Sequence, residues 1–83
     1  GGGIFGNSGT ITLTNTTLTG NSTTGISSTG GAIRSETGAI ELANSIVLGN
    51  FTTTGTADDD EISVNTATIT ETGPNVLGPV GVD

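Results

Sequence analysis

Cysteine, histidine, methionine, tryptophan and tyrosine are all absent from this 83-residue sequence, and Arg34 is its only basic residue. Without cysteine no disulfide can staple a small domain. Without histidine, cysteine, tyrosine or lysine, most nucleophiles and proton carriers are missing. Carboxylate pairs could still act, and Glu41 is expected as a diagonal neighbour of Glu71. A short stack of chain offers such a pair no cleft, so the sequence reads as non-enzymatic. The net charge of −7 argues against nucleic acid, which is held by clustered lysine and arginine. It also disfavours an anionic membrane surface. No apolar run approaches the roughly 20 residues of a membrane helix. No signal peptide is visible, and Gly1 in place of Met fits a processed product or an excised piece.

Apolar residues are scarce as well. They make up 30% of the chain, and Phe5 and Phe51 are its only aromatics. A chain of this size buries a modest share of its surface even with an ordinary composition. Threonine, serine, glycine and asparagine dominate, which means disorder unless a regular pattern intervenes.

The pattern exists. Residues 1–21, GGGIFGNSGTITLTNTTLTGN, and residues 30–50, GGAIRSETGAIELANSIVLGN, share glycine, isoleucine, leucine and asparagine at matching places. At an offset of 29, Ile4 falls on Ile33, Ile11 on Ile40, Leu13 on Leu42, Asn15 on Asn44 and Gly20-Asn21 on Gly49-Asn50. A third, degenerate copy places Ile62, Ile69, Val76 and Gly78 after Ile33, Ile40, Val47 and Gly49. A period in this range marks a solenoid or array.

Within each repeat TITLT (10–14), AIEL (39–42) and TATITET (66–72) alternate with the strand period. Glycine and asparagine punctuate them at positions suited to left-handed corners. Strands are expected at 3–6, 10–14 and 16–19, at 32–35, 39–43 and 45–48, and at 61–64, 68–72 and 75–77. Stacked repeats would pair equivalent strands in parallel, about 4.8 Å apart. The inward columns would be Ile4/Ile33/Ile62, Ile11/Ile40/Ile69, Leu13/Leu42 and Leu18/Val47/Val76. Asn15/Asn44 and Asn21/Asn50 would stack at corners, their amides bonded along the axis. The expected fold is an all-β, right-handed parallel β-solenoid (β-helix) of about three 29-residue coils. The coils run 1–29, 30–58 and 59–78, and residues 79–83 form a short C-terminal tail. Handedness follows the general crossover preference. An in-register stack of identical chains is the rival fold, and the internal repeat argues against it.

These stretches resemble the coils of bacterial right-handed parallel β-helix proteins, the surface-exposed or secreted adhesins and autotransporter-like passengers. GPNVLG (73–78) is similar to the segment that often closes such coils. The resemblance spans about residues 1–78 and implies an extracellular or cell-surface setting. It does not imply one activity, since such helices serve as lyases, adhesins and scaffolds.

A short solenoid needs covered ends, because each terminal coil otherwise exposes unpaired N–H and C=O groups. The sequence suggests that end coils cover one another, head to tail, in a non-closing contact that yields a filament. Ile4, Thr10, Ile11, Thr12 and Leu18 of one copy would meet Ile62, Thr68, Ile69, Thr70 and Val76 of the next. Ile46, Leu48, Phe51 and Leu77 would form a lateral apolar stripe, covered by the tail or by another subunit. The leading function is therefore a structural subunit of an extracellular filament or cell-surface polymer. The alternative is a non-enzymatic segment of a larger adhesin, presenting loops such as 21–29 and 50–58 to a glycan or protein.

Three further features invite chemistry. Asp58, Asp59, Asp60 and Glu61 could hold calcium through their oxygens, though a solvated turn explains them as well. Asn15, Asn21 and Asn50 each open an N-x-Ser/Thr triplet, the acceptor pattern for N-linked sugar. Thr10, Thr12 and Thr14 with Thr66, Thr68 and Thr70 make threonine rows that resemble ice-binding solenoid faces. Strand propensity on a solvated face accounts for them too. Arg34 is expected to answer Glu36 or the acidic turn.

Overall fold

Threonine and isoleucine, alternating between glycine and asparagine corners, build strands and nothing else among the described residues. The structure, a computed structural model, describes residues 1–25, 29–53 and 61–82. Twelve strands follow in order: β1 (Ile4–Gly6), β2 (Thr10–Thr14), β3 (Thr17–Leu18), β4 (Ser22–Thr23), β5 (Ile33–Ser35), β6 (Ala39–Ala43), β7 (Ile46–Val47), β8 (Phe51–Thr52), β9 (Ile62–Val64), β10 (Thr68–Thr72), β11 (Val76–Leu77) and β12 (Val80–Val82). They form four parallel sheets, ordered β1-β5-β9-β12, β10-β6-β2, β11-β7-β3 and β4-β8. Each sheet takes one strand from each successive repeat. The register sets Ile4 on Ile33 and Ile33 on Ile62 in the first sheet. It sets Ile11 on Ile40 and Ile40 on Ile69 in the second.

One apolar cluster joins three of the sheets. Ile33, Ile62 and Val64 come from the first, Leu13, Ile40 and Leu42 from the second, and Val47 from the third. Ile33, Ile40, Leu42, Val47 and Ile62 are almost wholly buried, and such side chains contribute about 1.5–3 kcal/mol each. The repeat at the β2 side is less covered, with Ile4, Ile11 and Leu18 half-buried against the cluster.

Asn15 and Asn44 turn the corner between the second and third sheets with φ of 51° and 52°. Asparagine tolerates this left-handed backbone better than most side chains. Gly73, with φ of 74°, takes the same corner in the third repeat. There the corner holds one residue more, Gly73-Pro74-Asn75 against Asn44-Ser45. The extra residue changes the expected register. Val76 pairs with Ile46, and Leu77 pairs with Val47. Val76 is therefore not in the inward column; it is half-exposed on the outer face, and Leu77 completes the column Leu18/Val47/Leu77.

Two other elements differ from the sequence reading. A fourth strand occurs in the first two repeats, where β4 pairs with β8, so Phe51 lies in a strand rather than a loop. Residues 80–82 are not a loose tail: Val80 pairs with Ile62 as Ile62 pairs with Ile33. Thus β12 begins a fourth tier on the first sheet.

Candidate functional site

Polar side chains are stacked in the same way as the apolar ones, and two ladders of them run along the corners. Asn50 is buried next to β8. Its Oδ1 accepts from Asn21 N at 3.0 Å and from Asn21 Nδ2 at 3.0 Å. Its Nδ2 donates to Leu18 O at 3.0 Å and to Glu61 Oε2 at 2.6 Å. The Glu61 carboxyl also accepts from Gly49 N at 2.8 Å and Asn50 N at 3.2 Å. Glu61 repeats toward Asn50 what Asn50 does toward Asn21. It is 4% exposed, so it is no part of a solvated turn. Asp58, Asp59 and Asp60 lie outside the described residues, and among the described residues no cluster of three potential metal ligands occurs.

The second ladder uses Ser45. Its Oγ accepts from Thr16 N at 3.2 Å and donates toward Ala43 O at 3.0 Å. Asn75 takes the equivalent place one repeat on, its Oδ1 accepting from Ser45 N at 2.7 Å and its Nδ2 donating to Leu42 O at 3.3 Å. Both ladders satisfy backbone groups that corner geometry leaves without strand partners. Each such bond contributes about 0.5–1.5 kcal/mol, and leaving a buried partner unmet costs more.

Arg34 answers Glu36, as expected. Its Nε and Nη2 donate to the two carboxyl oxygens at 3.0 and 3.2 Å. Its Nη1 reaches Ser63 Oγ at 2.7 Å and Thr29 Oγ1 at 3.3 Å. Arg34 stacks on Ser63 in register, which places the guanidinium over the outer side of the first sheet and leaves Ser63 fully buried.

Glu41 and Glu71 do not form a pair. Glu41 is in register with Thr12 and Thr70, whereas Glu71 is in register with Leu42. Neighbours in a strand point to opposite faces, so the two carboxyls stand on opposite sides of the sheet. Glu41 receives Thr12 Oγ1 at 3.5 Å. The threonine rows of β2 and β10 are exposed and are interrupted by Ala39, Glu41 and Ala43, as the sequence implies.

Comparison of the chain with protein-family models, with curated proteins and with solved structures returns no match.

The residues expected at a head-to-tail contact fall into two groups. Ile4, Thr10, Ile11, Thr12 and Leu18 belong to strands with one free side in the described residues. Thr68, Ile69 and Thr70 of β10 do so at the other side. Ile62 does not: β9 is paired on both sides, and β12 holds the edge that Ile4 of another copy would need. Val76 faces outward and cannot meet Leu18 in an inward column. Of the lateral residues, Ile46, Leu48 and Phe51 are exposed, while Leu77 packs against the core beside Val47 instead of standing beside Leu48. Among the three glycosylation triplets, the Asn50 side chain is buried with its Nδ2 engaged, and Asn21 donates its own Nδ2 to Asn50. Asn15 is exposed. Sequence reasoning missed Glu61 and Ser45 as ladder members. A signal existed for Ser45, because Ser45 and Asn75 follow the left-handed residues Asn44 and Gly73 at the same corner.

Proposed function

We propose that this chain is a non-enzymatic structural section of a right-handed parallel β-solenoid. Its work is mechanical: it supplies rigid tiers that carry polar flanks and loops. The observation that supports the reading most is the continuity of register. All four sheets keep one parallel register across the repeats, the inward apolar positions Ile4/Ile33/Ile62, Ile11/Ile40/Ile69 and Leu18/Val47/Leu77 stack on one another, and the buried asparagine and serine ladders keep the same period. A stack built this way is stabilised by each added neighbour. Strand β12 supports a further tier, since it opens a fourth repeat on the first sheet. The acidic, threonine-rich surface suits an extracellular or cell-surface rod of the adhesin or passenger kind, with a glycan or a surface protein as the partner of its loops.

A direct test is to lengthen the rod. Extra copies of residues 30–58, placed after residue 58, should each add one tier of about 4.8 Å along one axis only. Small-angle scattering would read that increment. An increase in all three dimensions, or none, would end the scaffold reading.

A further inference from the structure

We infer that the outer corner held by Asn15 is an attachment site for an N-linked sugar, and that Asn21 and Asn50, which carry the same acceptor pattern, are not. The inference rests on the reading of the chain as part of a surface rod and adds a modification to it. Three N-x-Ser/Thr triplets occur: Asn15-Thr16-Thr17, Asn21-Ser22-Thr23 and Asn50-Phe51-Thr52. The pattern by itself does not choose among them. Attachment replaces one of the two hydrogens of the asparagine Nδ2 with the anomeric carbon of the sugar. The amide must therefore be within reach of an enzyme, and its hydrogens must not already be engaged.

In the ladder both hydrogens are engaged. Asn50 Nδ2 donates to Leu18 O and to Glu61 Oε2. Asn21 Nδ2 donates to Asn50 Oδ1 and, at 3.4 Å, to Thr19 O. A sugar on either would displace at least one of these bonds beside the paired strands β4 and β8, and Asn50 is buried besides. Asn15 is different. It stands between β2 and β3 with φ of 51°. Its backbone N–H is taken by Ala43 O at 2.9 Å, while its side-chain amide makes no hydrogen bond among the described residues. Its exposure belongs to the corner and not to its tier. Asn44 holds the same corner with a repeat on either side, with φ of 52°, and is exposed as well. The third member of the triplet also faces outward: Thr17 is exposed and in register with Ile46 on the outer face.

In the transfer, Asn15 Nδ2 attacks the anomeric carbon of a sugar carried on a nucleoside diphosphate. The Nδ2–C1 bond forms and the C1–O bond to the diphosphate breaks. The diphosphate leaves with the electron pair, and one Nδ2 proton passes to a base of the transferring enzyme. Nothing is oxidised or reduced.

The test incubates the folded full chain with a soluble asparagine glycosyltransferase and UDP-glucose. Intact-mass spectrometry counts the sugars, and electron-transfer fragmentation places them. The unaltered chain should gain a single glucose, at Asn15. Thr17→Ala should abolish it and Thr17→Ser should keep it. Asn15→Gln should abolish it too; glutamine suits a left-handed corner less well than asparagine, so circular dichroism checks its fold, and Thr17→Ala carries the test if it unfolds. Ile46→Thr completes a triplet at Asn44 and should add a second glucose there, at the same corner one repeat on. A folded chain left unmodified, glucose on Asn21 or Asn50, modification that survives Thr17→Ala, or a folded Ile46→Thr chain with no gain at Asn44 would each overturn the assignment. None of these results alters the length added per repeat, so the lengthening experiment judges the scaffold reading separately.

Discussion

Asn50 Nδ2 donates to Glu61 Oε2 across 2.6 Å, in the interior of the corner that links the second repeat to the third. The carboxyl of Glu61 accepts there as the amide oxygen of Asn50 accepts from Asn21 one repeat earlier. A glutamate has closed an asparagine ladder.

Replacing Glu61 with alanine should therefore strip partners from Gly49 N, Asn50 N and Asn50 Nδ2 together. We expect a loss of about 2–4 kcal/mol, since each buried unmet donor costs about 1–3 kcal/mol and part of the ladder rehydrates. Glu61→Gln should lose less, because one carboxamide oxygen still accepts while its NH2 group opposes the Asn50 donor. Urea unfolding of the three chains checks the order.

Two glycines with similar backbones should respond differently to alanine. Gly9 and Gly38 have φ of 88° and 95°. A Cβ on Gly9 meets nothing within 4 Å, whereas one on Gly38 falls 2.0 Å from Gly9 O. Gly9→Ala should cost about 1–2 kcal/mol from backbone strain alone. Gly38→Ala should cost clearly more, because the two repeats must separate to admit the methyl. Thermal melting of both variants would reveal equal losses if the stacking distance were not fixed by this glycine.

Inward and outward isoleucines give a second contrast. Ile40 is fully buried, and Ile40→Ala should destabilise by about 2–5 kcal/mol. Ile46 stands on the outer face in register with Thr17 and Val76. Ile46→Thr should change stability by no more than about 0.5 kcal/mol while lowering retention on a hydrophobic column.

Pro74 is the surplus residue of its corner and is exposed. Its deletion should leave Gly73 and Asn75 in the places that Asn44 and Ser45 hold one repeat earlier. We expect the deleted chain to keep Leu77 on Val47 and to unfold within about 1 kcal/mol of the parent. A collapse of cooperativity on urea titration would show that the corner cannot be shortened.

Arg34→Lys keeps the charge and loses the forked contact with Glu36 and the reach to Ser63. Lysine cannot reproduce that planar geometry. The variant should lose about 1–2 kcal/mol, from weakened hydrogen bonds to a charged group. Amide exchange at Ser63, now shielded, should quicken.

The period, the long strand of each repeat and most of the inward column are legible in the sequence, because Ile4/Ile33, Ile11/Ile40 and Leu13/Leu42 recur at one offset with strand alternation around them. The positive-φ corners are legible too, since asparagine and glycine stand there for a steric reason. The choice between Val76 and Leu77 is not. Both are apolar, and only counting the residues of the preceding corner separates them. Strands β4 and β8 are two residues long, too short for alternation to register. Glu61 follows three aspartates and so reads as part of a solvated run, while its buried partners are eleven and twelve positions earlier.

Between β11 and β12 the path is Gly78-Pro79 alone, whereas residues 19–32 and 48–61 intervene at the same place in the first two repeats. Those longer paths carry β4, β8 and the buried Asn21–Asn50–Glu61 ladder, so the first two repeats gain a fourth wall that the two-residue path to β12 forgoes.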